Sequence, residues 1–288
     1  MFESIGRSFS LVKTSWSILM QDKKLLAFPV MSGIISLIVL ATFLIPIFIA
    51  GNLETGVRGG SLEFYAGLFV FYVVSYFVVI FFNTALITCV NARLKGNEMS
   101  IGEALSASLR HFPAILAWAL VSATIGLLLH MLEERAGFIG QIAASLIGGA
   151  WGLVTFFVVP VLVLENKGVV DSVKESVSLI RKTWGESIVG AGSIMIIFLV
   201  IGFVAFLALL GVMFLGNPVI FWAAVFLFII FAIILAVVAS AMQGIFVTAL
   251  YQYAKTGTVP SAFGRDQIEN AFAPKPGVSS GFGGPGNI

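Results

Sequence analysis

Ionisable side chains are scarce in this chain, and their placement is as informative as their number. Only 10% of the 288 residues are Asp, Glu, Lys or Arg, against 59% apolar ones. From Ser187 to Ala254 there is no Asp, Glu, Lys, Arg or His at all. A soluble fold cannot cover its surface with so little charge, and the mean hydropathy of +1.07 points the same way. The chain is expected to be an integral membrane protein.

Other scarcities exclude chemistry. The single cysteine, Cys89, sits in an apolar run without a partner, so neither a disulfide framework nor a thiolate metal site can be built. The two histidines, His111 and His130, lie about 28 Å apart along a helix and cannot share a metal or a proton relay. His130 and the neighbouring Glu133 and Glu134 could gather at a helix end, but no further ligand is in reach. There is no Gly-x-Ser-x-Gly elbow and no serine paired with a histidine. No enzymatic activity, cofactor or metal is therefore expected. A net charge of only +2 gives no nucleic-acid surface. The spans hold no ionised group, which argues against a titrating site for proton-coupled transport. The polar candidates left inside them are Asn83, Thr84, Gln141 and Gln243, with Asn91, Ser122 and Thr124 beside them. Bonding between helices is the plain use for such groups, and a polar path for a neutral solute is the other.

Long apolar runs are abundant. A helix needs about 20 residues to cross about 30 Å of hydrocarbon, and six runs qualify, at roughly 25–50, 64–92, 113–132, 137–164, 187–215 and 218–253. Gly216-Asn217-Pro218 is the turn signal between the last two. The sixth run exceeds one membrane thickness, so it must tilt, break near Gln243-Gly244 or extend into the cytoplasm. Fourteen Lys and Arg fall on one side of these spans, and only Arg58 and Arg135 on the other. Basic residues stay on the cytoplasmic side. Both termini of this multi-pass protein are thus expected in the cytoplasm, with 51–63, 133–136 and 216–218 outside. The first apolar run, lacking a small-residue cleavage site, reads as a retained helix.

The chain also repeats itself. SFSLVKTSW at 8–16 reads almost as SVSLIRKTW at 176–184, 168 positions later. Phe2, Ile5, Phe9, Val12, Trp16 and Leu19 line one face of a helix, with Arg7, Lys13 and the serines on the other. Val170, Val173, Val177, Ile180 and Trp184 keep that phase. A shorter copy begins at the capping box of Ser100 and Glu103, with Ile101, Leu105, Leu109 and Phe112 as its apolar face. The fold class that follows is all-α: six transmembrane helices as three parallel repeats of an amphipathic helix plus a helical hairpin. The repeats span about 1–96, 97–168 and 169–257 within a single membrane domain, 1–272. Residues 259–272 form a short amphipathic segment, and 273–288 a disordered Gly-rich tail.

Two surfaces stand out. Trp16, Lys23, Lys24, Arg181, Lys182 and Trp184 suit the headgroup layer, where indole rings sit half-buried and basic tips reach phosphates. Attraction there is modest, since residues 1–24 carry a net charge of only +2. Gly140, Ala144, Gly148 and Gly152 fall four apart, a flat strip for close helix approach, within the chain or in a homo-oligomer.

RSFSLVKTSW at 7–16, QDKKLLAFPVMSG at 21–33, the six spans and ENAFAPK at 269–275 resemble an uncharacterised family of prokaryotic integral membrane proteins, a domain of unknown function. The amphipathic-helix-plus-hairpin plan is more loosely similar to the membrane domain of some glycerophosphodiester phosphodiesterases. The resemblance implies the membrane fold and no catalytic residues, because the phosphodiesterase barrel has no counterpart here. The expected role is a non-enzymatic scaffold that organises lipids or partner proteins at the cytoplasmic face. The alternative is a channel or uniporter for a small neutral or lipid-like solute.

Overall fold

The computed structural model describes residues 13–49, 62–135, 137–182, 186–214 and 216–257, and these form helices without a strand. Six helical stretches are long and apolar enough to cross a bilayer: Lys23–Ile45, Leu62–Leu94, Phe112–Glu134, Ile139–Leu164, Ile194–Met213 and Pro218–Thr256. Residues 1–12, the 51–61 loop, Trp184, the 259–272 segment and the Gly-rich tail lie outside the described residues.

The described residues begin with helix α1 (13–21), a 3-10 turn at Lys23–Leu26 and the first span α2 (Ala27–Ile49). The second span is α3 (Leu62–Leu94), followed by the short α4 (Ile101–Arg110) and the third span α5 (Phe112–Arg135). Next come α6 (Gly137–Val154), α7 (Val158–Leu164), the short α8 (Val169–Lys182), α9 (Glu186–Met213) and α10 (Pro218–Thr256). Local chemistry sets the ends. Ser100 accepts from the Glu103 N–H while the Glu103 carboxylate accepts from the Ser100 N–H at 2.7 Å, closing the expected capping box. At the last hairpin Gly216 takes φ 66°, a left-handed turn that glycine adopts freely. The Asn217 side chain then accepts from the Val219 and Ile220 N–H groups, and Pro218 opens α10 in the first turn, where no N–H is needed.

One span differs from the reading of its apolar run, and another excludes one of the options its length left open. The fourth is broken, with residues 155–157 forming a turn between α6 and α7. The sixth is unbroken for 39 residues, passing through Gln243-Gly244 as regular helix. At about 1.5 Å per residue α10 measures about 58 Å, so it outruns the hydrocarbon instead of kinking within it.

α3 is the hub, touched by α2, α4, α5, α7 and α10. Its buried residues run only from Val78 to Leu94, and those of α10 only from Ala241 to Tyr251. The core therefore sits in the half of the bundle where the Lys and Arg gather, hereafter the basic end. Leu19, Leu25, Phe28, Leu86, Phe157 and Met242 meet there. The other half of the last hairpin presents Phe203, Phe226, Ile233 and their neighbours outward, which costs nothing against lipid tails.

The short helices bury a stripe that only partly coincides with the one their apolar spacing predicts: Leu19 and Ile180 are shared by both. In α8 the covered residues are Ser172, Ser176, Leu179 and Ile180, while Val170 is 66% exposed. In α4 they are Ala104, Ala107 and Ser108, and Leu109 and Phe112 point outward, Phe112 edge-on to Phe77 at 5.0 Å. In α1, Ser15 is fully covered. Serines placed on the polar face thus line the packed one, because small side chains let a helix lie close against its neighbours.

Close approach is tightest where α3 crosses α10. A Cβ added at Gly244 would run into the buried Leu86 side chain, whose Cγ would be only 3.0 Å away. The Gly strip of α6 is looser: a Cβ at Gly148 would meet Leu129 at an ordinary 3.5 Å, and one at Gly152 nothing within 4 Å. Gly140 and Ala144 are buried, while Gly152 is exposed, so one end of the strip is covered and the other is open. Gly244→Ala is expected to cost about 1–3 kcal/mol through overpacking. Gly148→Ala is expected to be nearly neutral. Thermal unfolding in nanodiscs checks this, and Leu86→Ala should recover most of the loss in the Gly244→Ala background.

Candidate functional site at the basic end

Three features converge in the basic half of the bundle. The first is the break itself. Ending a helix inside a membrane protein frees backbone groups that lipid cannot satisfy. Here the Ser176 hydroxyl, from α8, donates to the Val154 carbonyl at 2.7 Å and accepts from the Phe157 N–H at 3.1 Å. Thr155 Oγ1 turns back to the Trp151 carbonyl at 2.8 Å. One fully covered hydroxyl therefore joins the short helix α8 to the interrupted span.

The second feature is a charge cluster. Lys255, near the end of α10, reaches Glu165 at 3.1 Å and Glu175 at 2.9 Å. Lys167 reaches the same two carboxylates at 2.9 and 3.3 Å. The Tyr251 hydroxyl donates to Glu165 at 2.6 Å. Burial works against the charged form of Glu165, but hydrogen bonds from Tyr251, Lys167 and Lys255 outweigh it and pull its pKa from 4.5 to about 2. Glu175 is also lowered, chiefly by its hydrogen bond from Lys255. The cluster ties α7, α8 and α10 together. A further polar tie, Gln252 Nε2 to Asn91 Oδ1 at 2.8 Å, joins α10 to α3.

The third is an open cleft of about 560 Å³ between α1, α9 and α10. Its wall is apolar, built from residues such as Phe198, Ile201, Phe231, Leu235 and Met242, and Lys13 and Trp16 stand at one end. Trp16 is 45% exposed, and no described acidic side chain pairs with Lys13.

Of the interfacial residues read from the sequence, Trp16, Lys23, Lys24 and Arg181 are exposed, while the Lys182 side chain and Trp184 are outside the described residues. Only Trp16 lines the cleft. Among the intramembrane polar residues, Asn83 and Gln243 face one cavity from α3 and α10. Thr84 is fully buried, its hydroxyl without a partner, and Gln141 is exposed on α6. At the opposite end Glu134 pairs with His130 at 3.3 Å and accepts from Tyr65 at 2.8 Å, joining α5 to α3. Among the described residues no three His, Cys, Asp or Glu side chains are grouped to hold a metal.

The sequence reading missed the charge cluster and the part played by Ser176. Ser172, Ser176, Leu179 and Ile180 do fall at i, i+4, i+7 and i+8, the spacing of one helix face. Treating serine as polar hid that signal.

The family model of the "Family of unknown function (DUF6159)" matches residues 62–261. The chain belongs to this family. Among its described residues this member has six helices long and apolar enough to span a bilayer. No curated protein and no solved structure matches the chain, so the looser likeness to glycerophosphodiester phosphodiesterase membrane domains gains no support from them.

Two outcomes follow from the ties at this end. The Glu165 pKa is depressed in the folded protein, so the contribution of the carboxylate is whole above about pH 4.5 and drains away as pH falls toward 2. Amide exchange over 169–182 should rise in that window, and Glu165→Gln should show the raised exchange already at neutral pH. Separately, Ser176→Ala orphans two backbone groups, at about 1–3 kcal/mol each. Its thermal unfolding should drop accordingly, with Ser176→Thr recovering part of the loss.

Proposed function

We propose that this chain is a non-enzymatic scaffold of the prokaryotic plasma membrane, with both termini cytoplasmic, which holds anionic phospholipid against a cytoplasmic collar. α1, α4 and α8 form that collar, one helix for each of three repeated units, and lipid is its main partner. The observation that carries this reading is the cleft between α1, α9 and α10, apolar along its wall and basic at one end.

The dimensions agree with one lipid leaflet. From Phe231 to Met242 the wall covers 12 residues of α10, a rise of about 16 Å, close to half of the roughly 30 Å hydrocarbon layer. Acyl chains would lie along it while Lys13 meets the phosphate and Trp16 sits at the headgroup level. Lys23, Lys24 and Arg181 add exposed positive charge at the same end. Each basic residue contributes about 1 kcal/mol near an anionic surface, so selection among lipids is moderate and rests on fit as well as charge. A rigidly docked collar gives that fit a fixed shape, which is what a scaffold needs.

The test is lipid retention. Protein reconstituted with phosphatidylglycerol and phosphatidylethanolamine is released into native mass spectrometry. Phosphatidylglycerol should be enriched, and Lys13→Gln should reduce the enrichment about fivefold, the equivalent of about 1 kcal/mol. Trp16→Ala should shorten retention of both lipids. Equal retention of the two lipids by the unaltered protein would refute the proposal.

A further inference from the structure

A second cavity, of about 340 Å³ and partly open, lies between α2, α3, the α6–α7 break and α10, with Val79 and Ser240 at its exposed edge. Its polar lining comes from four parts of the chain: Ser32 on α2, Asn83 on α3, Thr155 at the break, and Ser240 and Gln243 on α10. Asn83 is 11 residues short of the end of α3, about 16 Å inside the basic end. Polar groups at such depth are normally spent on one another. These are not: neither the Asn83 nor the Gln243 carboxamide hydrogen-bonds a described residue.

We propose that this cavity binds a small neutral solute bearing both hydrogen-bond donors and acceptors, of the amide or polyol kind. Two carboxamides present both types of group, and hydroxyls from Ser32 and Ser240 add more. Among the described residues no ionisable side chain lines the cavity, so a charged ligand would enter it uncompensated. The volume lies at the lower end of ligand pockets and holds about ten waters at about 30 Å³ each. The break completes the case. Irregular backbone at membrane depth persists where it is covered by protein or lines a wet cavity, and here Ser176 covers one side while Thr155 and Phe156 face the cavity. This site is separate from the lipid cleft, with which it shares no lining residue.

Cysteine protection tests the proposal on the full chain in proteoliposomes. Ser32→Cys, with Ser240→Cys as a second reporter, is treated with a small hydrophilic thiosulfonate; the buried native Cys89 serves as the blank. Labelling is expected at both reporters. Acetamide or glycerol at ten times its dissociation constant should slow labelling about tenfold, whereas acetate should not. Gln243→Met, of similar size, should leave labelling intact and remove the protection. Silence at both reporters would show a sealed cavity, and labelling indifferent to every solute would show water only. Either result overturns the proposal, as does equal protection by acetate.

Discussion

Backbone amides in hydrocarbon must be bonded within the protein, and at the break in the fourth span that requirement falls on one hydroxyl. Ser176 holds the Val154 carbonyl and the Phe157 N–H together. Water at a surface would do this at no cost; lipid cannot. The interruption is therefore compatible with the membrane only while α8 is seated. In turn α8 is seated by Lys167 and Lys255, each shared between Glu165 and Glu175. The interior and the basic surface of the bundle are thus one assembly, with the serine and the charge cluster as its two fastenings.

The division of the molecule follows from its two solvents. Toward the bilayer, apolar side chains need no covering, and α9 with the first half of α10 leaves Leu199, Phe203, Trp222 and Phe226 outside. Helix contact there relies on fit alone. At the basic end water is present, the hydrophobic effect operates, and the core gathers Phe28, Phe157, Leu179 and Ile245. Charges appear only where water can share in their solvation. The same separation leaves Asn83 and Gln243 as isolated amides in the span interior, facing a cavity instead of a partner.

Much of this was legible in the residues. The six spans follow from run length, and Asn217-Pro218 and Ser100 with Glu103 mark helix starts through local hydrogen bonds that need no tertiary context. The break at 155–157 was not legible, because Thr155-Phe156-Phe157 holds no proline, glycine or charge and reads as continuous apolar helix. What ends the helix is a residue 22 positions later, Ser176. The buried serines were misplaced for a related reason: polarity assigned them to water, whereas close packing uses their small size. Of the candidate site residues, Asn83 and Gln243 share a cavity, yet no spacing rule could relate residues on two helices 160 positions apart. The charge cluster likewise joins Glu165 to Lys255 across 90 positions.

α10 is continuous, and its tightest crossing is at Gly244 against Leu86. The crossing divides this unbroken helix into unequal arms, about 39 Å to Pro218 and about 16 Å to Lys255, and in a rigid tilt about it the two ends would move in that ratio. A sideways shift of 5 Å at the long end therefore becomes about 2 Å at the short one. That is comparable to the difference between the 2.9 Å contact of Lys255 with Glu175 and no contact at all. Because α10 has no break, a rigid tilt about that crossing would couple lateral displacement at its Pro218 end to ion pairing at its Lys255 end.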